Sequence, residues 1–134
     1  MIIQVKKDYE VTREGVVDIL SALDCHRWYC TIGYNKQDYA VARAKVGKDA
    51  AHEELLEQIL YDGGKLTFID SNDSDLRYYL TLPLLLHGIE LAIEQDYYPE
   101  YNWHGDGKLD TCMIDADVAD VILQLSMFEE VMFG

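Results

Sequence analysis

The last thirty residues, Gly105 to Gly134, constrain the fold more than any other stretch. A Gly/Asp segment leads into a run whose apolar positions are Val118, Val121, Ile122, Leu125 and Phe128. Steps of three, one, three and three place these side chains in one continuous stripe on a 3.6-residue helix. Asp115 and Asp117 stand at the start, where carboxylates accept otherwise unpaired backbone N–H groups at the positive end of the helix dipole. The chain then finishes in Val131-Met132-Phe133-Gly134, an apolar end expected to be packed. A helix and tail this hydrophobic need the rest of the protein to cover them.

The remaining chain supplies that cover as alternating helices and strands. Ile2 to Val5 reads as a short strand. Thr12 is the expected N-cap of a helix over Arg13 to Asp24, with Val16, Ile19, Leu20 and Leu23 inward. Arg27 to Tyr34 is dense in aromatic and β-branched residues and reads as a strand. Asn35 to Asp38 is a turn, and Tyr39 to Val46 reads as a second strand or an irregular arm. Asp49 is expected to cap a helix through Leu60, with Ala51, Leu55, Leu56, Ile59 and Leu60 inward and Glu53, Glu54 and Glu57 outward. Gly63-Gly64 would end it in the left-handed conformation that helix C-caps prefer.

Lys65 to Asp70 and Leu76 to Leu82 form the clearest strand pair, joined by Ser71-Asn72-Asp73-Ser74-Asp75, which is turn chemistry at hairpin length. Pro83 suits the first turn of a helix running to about Gln95, with Leu85, Leu86, Ile89, Ala92 and Ile93 inward. The predicted fold is α+β: a small, mainly antiparallel sheet, with its hairpin at about 65–82, packed against three to four helices in a single domain over 1–134. At 134 residues and 49% apolar composition the chain can bury a core without metal or disulfide help.

Charge is the loudest compositional signal. The net charge is −14. Met1 to Lys65 holds eleven acids and nine bases, whereas Leu66 to Gly134 holds fourteen acids and only Arg77 and Lys108 as bases. Direct nucleic-acid binding through the second half is disfavoured, because phosphate contacts need Lys and Arg. A surface shaped to meet a basic partner fits the same residues. Lys36, Arg43, Lys45 and Lys48, against only Asp38, form one locally cationic patch. No apolar run approaches the ~20 residues of a membrane span, and the first residues lack a signal-peptide pattern, so the expected location is cytoplasmic.

Catalytic and metal chemistry find little support. The three cysteines are odd in number and lie at no disulfide spacing. Cys25, His26, Cys30, His104 and Cys112 lack the paired short spacings of a zinc site, and Cys25 beside His26 is not a nucleophile–base geometry. Counting from Asp106, an EF-hand would need a ligand third and a Glu twelfth, where Lys108 and Asp117 stand. No P-loop, dinucleotide-binding glycine pattern or nucleophile elbow is present. A protein without catalytic residues, metal or cofactor is expected.

Two aromatic clusters remain, Trp28/Tyr29/Tyr34 and Tyr97/Tyr98/Tyr101/Trp103. The second lies in an acidic loop broken by Pro99, where aromatics are hard to bury and Tyr and Trp serve as protein-binding anchors. The expected partner-binding set is Asp96, Tyr98, Glu100, Tyr101, Trp103, Asp106 and Asp110. The rival set, for a stacked nucleotide with its phosphates on cations, is Trp28, Arg27 and Arg77.

Several segments resemble a family of small acidic proteins carried by phages and other mobile elements of Gram-positive bacteria. They are Thr12-Arg13-Glu14 with Val17-Asp18-Ile19-Leu20, Trp28-Tyr29-Cys30, Gly63-Gly64-Lys65-Leu66, and above all Gly105-Asp106-Gly107, Leu109-Asp110-Thr111-Cys112, Ile114-Asp115-Ala116 and Phe133-Gly134. Asn35 to Val46 and the Tyr/Trp loop depart from the family. The resemblance implies a mobile-element setting and carries over no activity or catalytic residues. Setting and charge together lead to an expected anti-defence inhibitor of the anti-CRISPR kind, binding a host defence protein through an acidic surface that mimics nucleic acid. Two alternatives are a sponge for a nucleotide immune signal and a structural or regulatory phage protein; homo-oligomerisation stays open in each.

Overall fold

The fold is that of a computed structural model describing residues 1, 10–23, 30–73, 75–95, 97 and 114–133. It is α+β. In chain order the elements are α1 (Arg13–Leu23), β1 (Cys30–Tyr34), α2 (Lys36–Val46), α3 (His52–Tyr61), β2 (Leu66–Asp70), β3 (Arg77–Leu80), α4 (Leu82–Glu94) and α5 (Ala116–Phe128). The three strands form an antiparallel sheet in the order β1-β2-β3, with Ile32 opposite Phe68 and Phe68 opposite Tyr78. The expected strand Ile2–Val5 and the residues 27–29 lie outside the described residues.

The hairpin forms where its alternation predicts. Leu66, Phe68 and Leu80 turn to the core while Arg77 and Tyr79 stay exposed. Asp70 Oδ1 accepts from the N–H groups of Asn72 and Asp73 at 2.8 and 3.1 Å, the Asx chemistry that makes the 71–75 connection a tight turn. Thr12 Oγ1 accepts from Gly15 N at 3.0 Å and so starts α1, whose Val16, Ile19, Leu20 and Leu23 are all buried. Gly63, at φ +86°, carries the left-handed turn after α3.

Several expectations fail locally. Residues 39–46 are helical, because Asn35 Oδ1 accepts from Gln37 N and Asp38 N and caps a helix starting at Lys36. α3 starts at His52 after Ala51, which is exposed and makes no side-chain cap bond, so Asp49 does not cap it. Leu86 of α4 is exposed, whereas Leu85, Ile89 and Ala92 are buried as their spacing implies.

Glu57 reverses its expected direction and points inward. Its carboxylate accepts from Arg13 Nε and, at 3.0 Å, from Arg13 Nη2, which also donates to Gln58 Oε1 at 2.7 Å. The guanidinium lies 4.4 Å from the Tyr61 ring centroid. The bond to Glu57 raises the Arg13 pKa, and burial pushes the Tyr61 hydroxyl up. A buried carboxylate without its cation is costly, although exposure of half of Arg13 softens the penalty. Arg13→Ala should therefore destabilise by about 1–3 kcal/mol in urea unfolding. The double change Arg13→Met with Glu57→Met should recover most of that loss; a double variant no more stable than Arg13→Ala would contradict this account of the pair.

α5 packs against α4, α1 and the sheet at β3, while α3 joins α2, α1 and β2. Asp115 Oδ1 accepts from Val118 N at 2.9 Å, as its position predicts, and Ile122, Leu123 and Leu125 are fully buried. Two polar residues are buried with them. Ser126 Oγ donates to Ile122 O at 2.7 Å, and Gln124 Oε1 accepts from Met132 N and Phe133 N at 2.8 and 2.7 Å. Gln124 Nε2 donates to Asp120 Oδ2 and Phe133 O at 2.8 and 3.0 Å, so every polar atom of this side chain is used. The tail after α5 is thus held by its backbone; Val131 and Met132 are exposed, and Phe133 packs partly against Phe128, 6.1 Å away.

Candidate interaction surfaces

Of the residues expected to bind a partner, Asp96, Tyr98, Glu100, Tyr101, Trp103, Asp106 and Asp110 lie outside the described residues, as do Arg27 and Trp28 of the alternative set. Cys25, His26, His104 and Cys112 lie outside as well. Arg77 is described. It is exposed on β3 opposite Ile69, on the sheet face away from the core, two residues from exposed Tyr79. Lys65 Nζ sits 4.1 Å from the Tyr79 ring centroid, so this face of the hairpin is aromatic and cationic. Tyr97, just beyond α4, is 42% exposed and anchored by its N–H to Ala92 O at 2.8 Å.

The acidic half keeps its charge at the surface. Glu90 and Glu94 on α4, Asp117 on α5 and Glu130 beyond it are exposed, and no Lys or Arg among the described residues neutralises them. Among the described residues, Glu129 Oε1 lies 3.7 Å from His87 Nε2. α4 is amphipathic by the same spacing that buries Leu85, Ile89 and Ala92, so its carboxylates must emerge on the opposite side. The helix adds two exposed leucines to that side, Leu84 and Leu86.

A second surface escaped the sequence because three elements build it. Tyr34 ends β1, Tyr39 opens α2 and His52 opens α3. The two tyrosine rings stack at 4.4 Å, His52 meets the Tyr34 ring edge-on at 5.7 Å, and Tyr39 Oη lies 3.1 Å from His52 Nδ1. Arg43 stands 5.8 Å from the Tyr39 ring and donates to the carbonyls of Lys48 and Ala50, holding the α2–α3 connection. The cationic patch anticipated at Lys36–Lys48 is real as a run of sequence, but it is carried by a helix rather than by an arm.

Between α2 and α3 lies a shallow cleft of about 280 Å³ lined by Asp38, Val41, Lys45, Ile59, Asp62 and Gly64. Its rim is already paired: Asp62 Oδ1 accepts from Lys45 Nζ at 2.9 Å and from Gln58 Nε2 at 3.0 Å. The Lys45 bond foremost, and the Gln58 bond with it, hold the Asp62 carboxyl below the usual carboxylate range. No group of metal-ligating side chains occurs among the described residues, and no helix among them is long and apolar enough to cross a membrane.

Among the described residues these surfaces offer exposed carboxylates, exposed Tyr and Leu, and the Tyr39–His52 hydroxyl–imidazole contact. Comparison of the chain with protein-family models, with curated proteins and with solved structures gives no match.

Proposed function

We propose that this protein is a non-catalytic inhibitor that binds a protein partner with a basic nucleic-acid-binding surface, its acidic second half standing in for nucleic acid. A mobile-element setting taken together with the charge makes that partner a component of a host's immunity machinery, reached in the bacterial cytoplasm. One observation carries the reading. Fourteen acids stand against two bases after Lys65, and Glu90, Glu94, Asp117 and Glu130 are exposed without a neutralising Lys or Arg among the described residues. Carboxylates that serve a fold are capped, paired or buried, as Asp115, Asp62 and Glu57 are here. An unpaired excess of one sign instead makes a field, which accelerates encounter with a surface of the opposite sign.

The anchors in this reading are Tyr98, Tyr101 and Trp103, with Asp96, Glu100, Asp106 and Asp110 supplying charge. An affinity pull-down of the tagged protein from a defence-bearing host tests it, with bound proteins and small molecules both identified. A stoichiometric nucleic-acid-binding protein, displaced by competing DNA, is the expected recovery. Its association rate should fall by about tenfold or more between about 0.05 and about 0.5 M salt. A rate unchanged over that range would remove the nucleic-acid mimic, and recovery of a nucleotide without protein would favour a sponge using the cationic face at Arg77.

A further inference from the structure

Among the described tyrosines, only Tyr39 has its hydroxyl against a base. Its Oη lies 3.1 Å from His52 Nδ1, within hydrogen-bond reach, and the pair sits at the surface where a reagent can approach. Neighbours fix the geometry. The Tyr34 ring stacks on Tyr39 at 4.4 Å and meets the imidazole edge-on at 5.7 Å. The Arg43 bonds to Lys48 O and Ala50 O, at 2.9 and 3.3 Å, brace the connection that delivers His52 to the start of α3. His52 is exposed, and its Nε2 makes no hydrogen bond to a described residue. That nitrogen therefore carries the proton into water, and Nδ1 offers its lone pair to the phenol. A hydroxyl bonded to an imidazole that other groups orient is the arrangement of a nucleophile with its general base.

The charge beside this pair selects the reagent. Lys36, Tyr39 and Arg43 follow one another at three and four residues, so two cations flank the tyrosine along one side of α2. Lys36 is exposed and makes no ion pair with a described residue. Arg43 is spent on carbonyls, which fix its position without cancelling its charge, and its guanidinium stands 5.8 Å from the Tyr39 ring centroid. An electrophile that brings negative charge is favoured there.

We infer that Tyr39 is a base-assisted nucleophile and the acceptor in this chain for an activated phosphoryl group, with His52 as its base. Oη attacks phosphorus. The O–P bond forms as the bond to the leaving group breaks, and the leaving group departs with the electron pair. The phenolic proton passes to His52 Nδ1, and the imidazolium returns a proton to water through Nε2. Arg43 favours the negative charge that develops on the phenol, and Lys36 that on the phosphoryl oxygens. One copy accepts one group, so the chain is modified and turns nothing over.

Labelling of the full-length chain with an alkyl fluorophosphonate, from which fluoride leaves, tests this when the adducts are mapped by peptide. Tyr34 and Tyr79 are internal controls: at 39% and 45% exposure both are more open than Tyr39, and neither hydroxyl bonds an imidazole. Tyr39 should nevertheless be labelled about tenfold or more faster than either. His52→Ala should remove that advantage and leave Tyr79 unchanged. His52→Gln keeps a neutral hydrogen-bonding group but cannot take the proton, so it should label Tyr39 as slowly as His52→Ala does. Three outcomes would overturn the proposal: Tyr39 labelled no faster than Tyr34 or Tyr79, a Tyr39 rate indifferent to His52→Ala, or His52→Gln labelling at the parent's rate.

Discussion

Gly88→Ala should be the most damaging small substitution in the chain. A Cβ at this position would lie 1.9 Å from Ser126 Oγ, 2.7 Å from Ile122 O and 2.8 Å from Ser126 N. All three atoms belong to α5, so the glycine marks where α4 and α5 touch backbone to backbone. The helices would have to separate to admit one methyl group, loosening Leu85 and Ile89 on one side and Ile122 and Leu125 on the other. Helix propensity favours Ala over Gly by about 1 kcal/mol, and the overpacking outweighs it. The net loss should be about 2–3 kcal/mol, or roughly a 6–15 °C fall in Tm for a domain of this size. Adding Ser126→Ala removes the nearest atom but neither backbone clash, so it should restore only a minor part. Thermal unfolding of the two variants decides the matter: a Tm within about 2 °C of the parent would mean the helices do not meet at Gly88.

Gln124→Glu keeps the shape of the side chain and inverts one of its roles. The Oε1 bonds to Met132 N and Phe133 N survive, but an oxygen replaces Nε2 and faces the Asp120 carboxylate and the Phe133 carbonyl. An ionised carboxylate there is buried and beside another acid; both raise its pKa in the folded state, and the two N–H bonds at Oε1 offset only part of that rise. The sign of the pH dependence follows. Below the ordinary Glu value of about 4.3 both states are protonated and the variant loses only hydrogen-bond quality. As pH rises from there toward the raised folded value, the unfolded chain ionises while the folded one resists, and stability drains away. The deficit against the parent should grow from about 1 kcal/mol near pH 4 to about 3 kcal/mol or more near pH 7. Gln124→Ala, which cannot ionise, should lose about 2–3 kcal/mol with no such slope. A Gln124→Glu deficit constant across that range would show that the side chain is not buried against Asp120. Amide exchange at Met132 and Phe133 adds a local readout, because both N–H groups depend on this one acceptor.

The Glu129 backbone explains why the tail needs that hold. It takes φ +61° at the end of α5, the left-handed conformation usually given to Gly, and its N–H closes on Leu125 O at 3.0 Å. The reversal points the following residues back along α5, where Gln124 can reach them.

Much of this architecture is legible from the chain alone, and for local reasons. The 65–82 hairpin is carried by alternation and by Asx chemistry at Asp70 and Asp73, which act within a few residues. α1, α4 and α5 follow from apolar spacing, with caps at Thr12 and Asp115 and Pro83 in the first turn of α4; the Thr81 cap, expected inside the strand, came only with the structure. α2 was misread because it has no apolar stripe to display: one side chain is buried, and its helicity comes from the Asn35 cap and its packing on α3. Glu57 was misread because the residue that draws it inward, Arg13, is 44 positions away. The loop expected to bind a partner, though plain in composition, lies outside the described residues except for Tyr97, so its geometry adds nothing to the reading of its sequence.

The sequence by itself determined the α+β class, the position of the hairpin, most helix starts and the division of charge between the two halves. These depend on periodicity, on capping and on counting, none of which requires a distant contact. Only the tertiary structure decided that Tyr34, Tyr39 and His52 meet, that Gly88 and Ser126 set the distance between α4 and α5, and that Gln124 holds the tail. Each joins groups through the packing of whole elements, and the energy that selects such packing is not carried by any one segment.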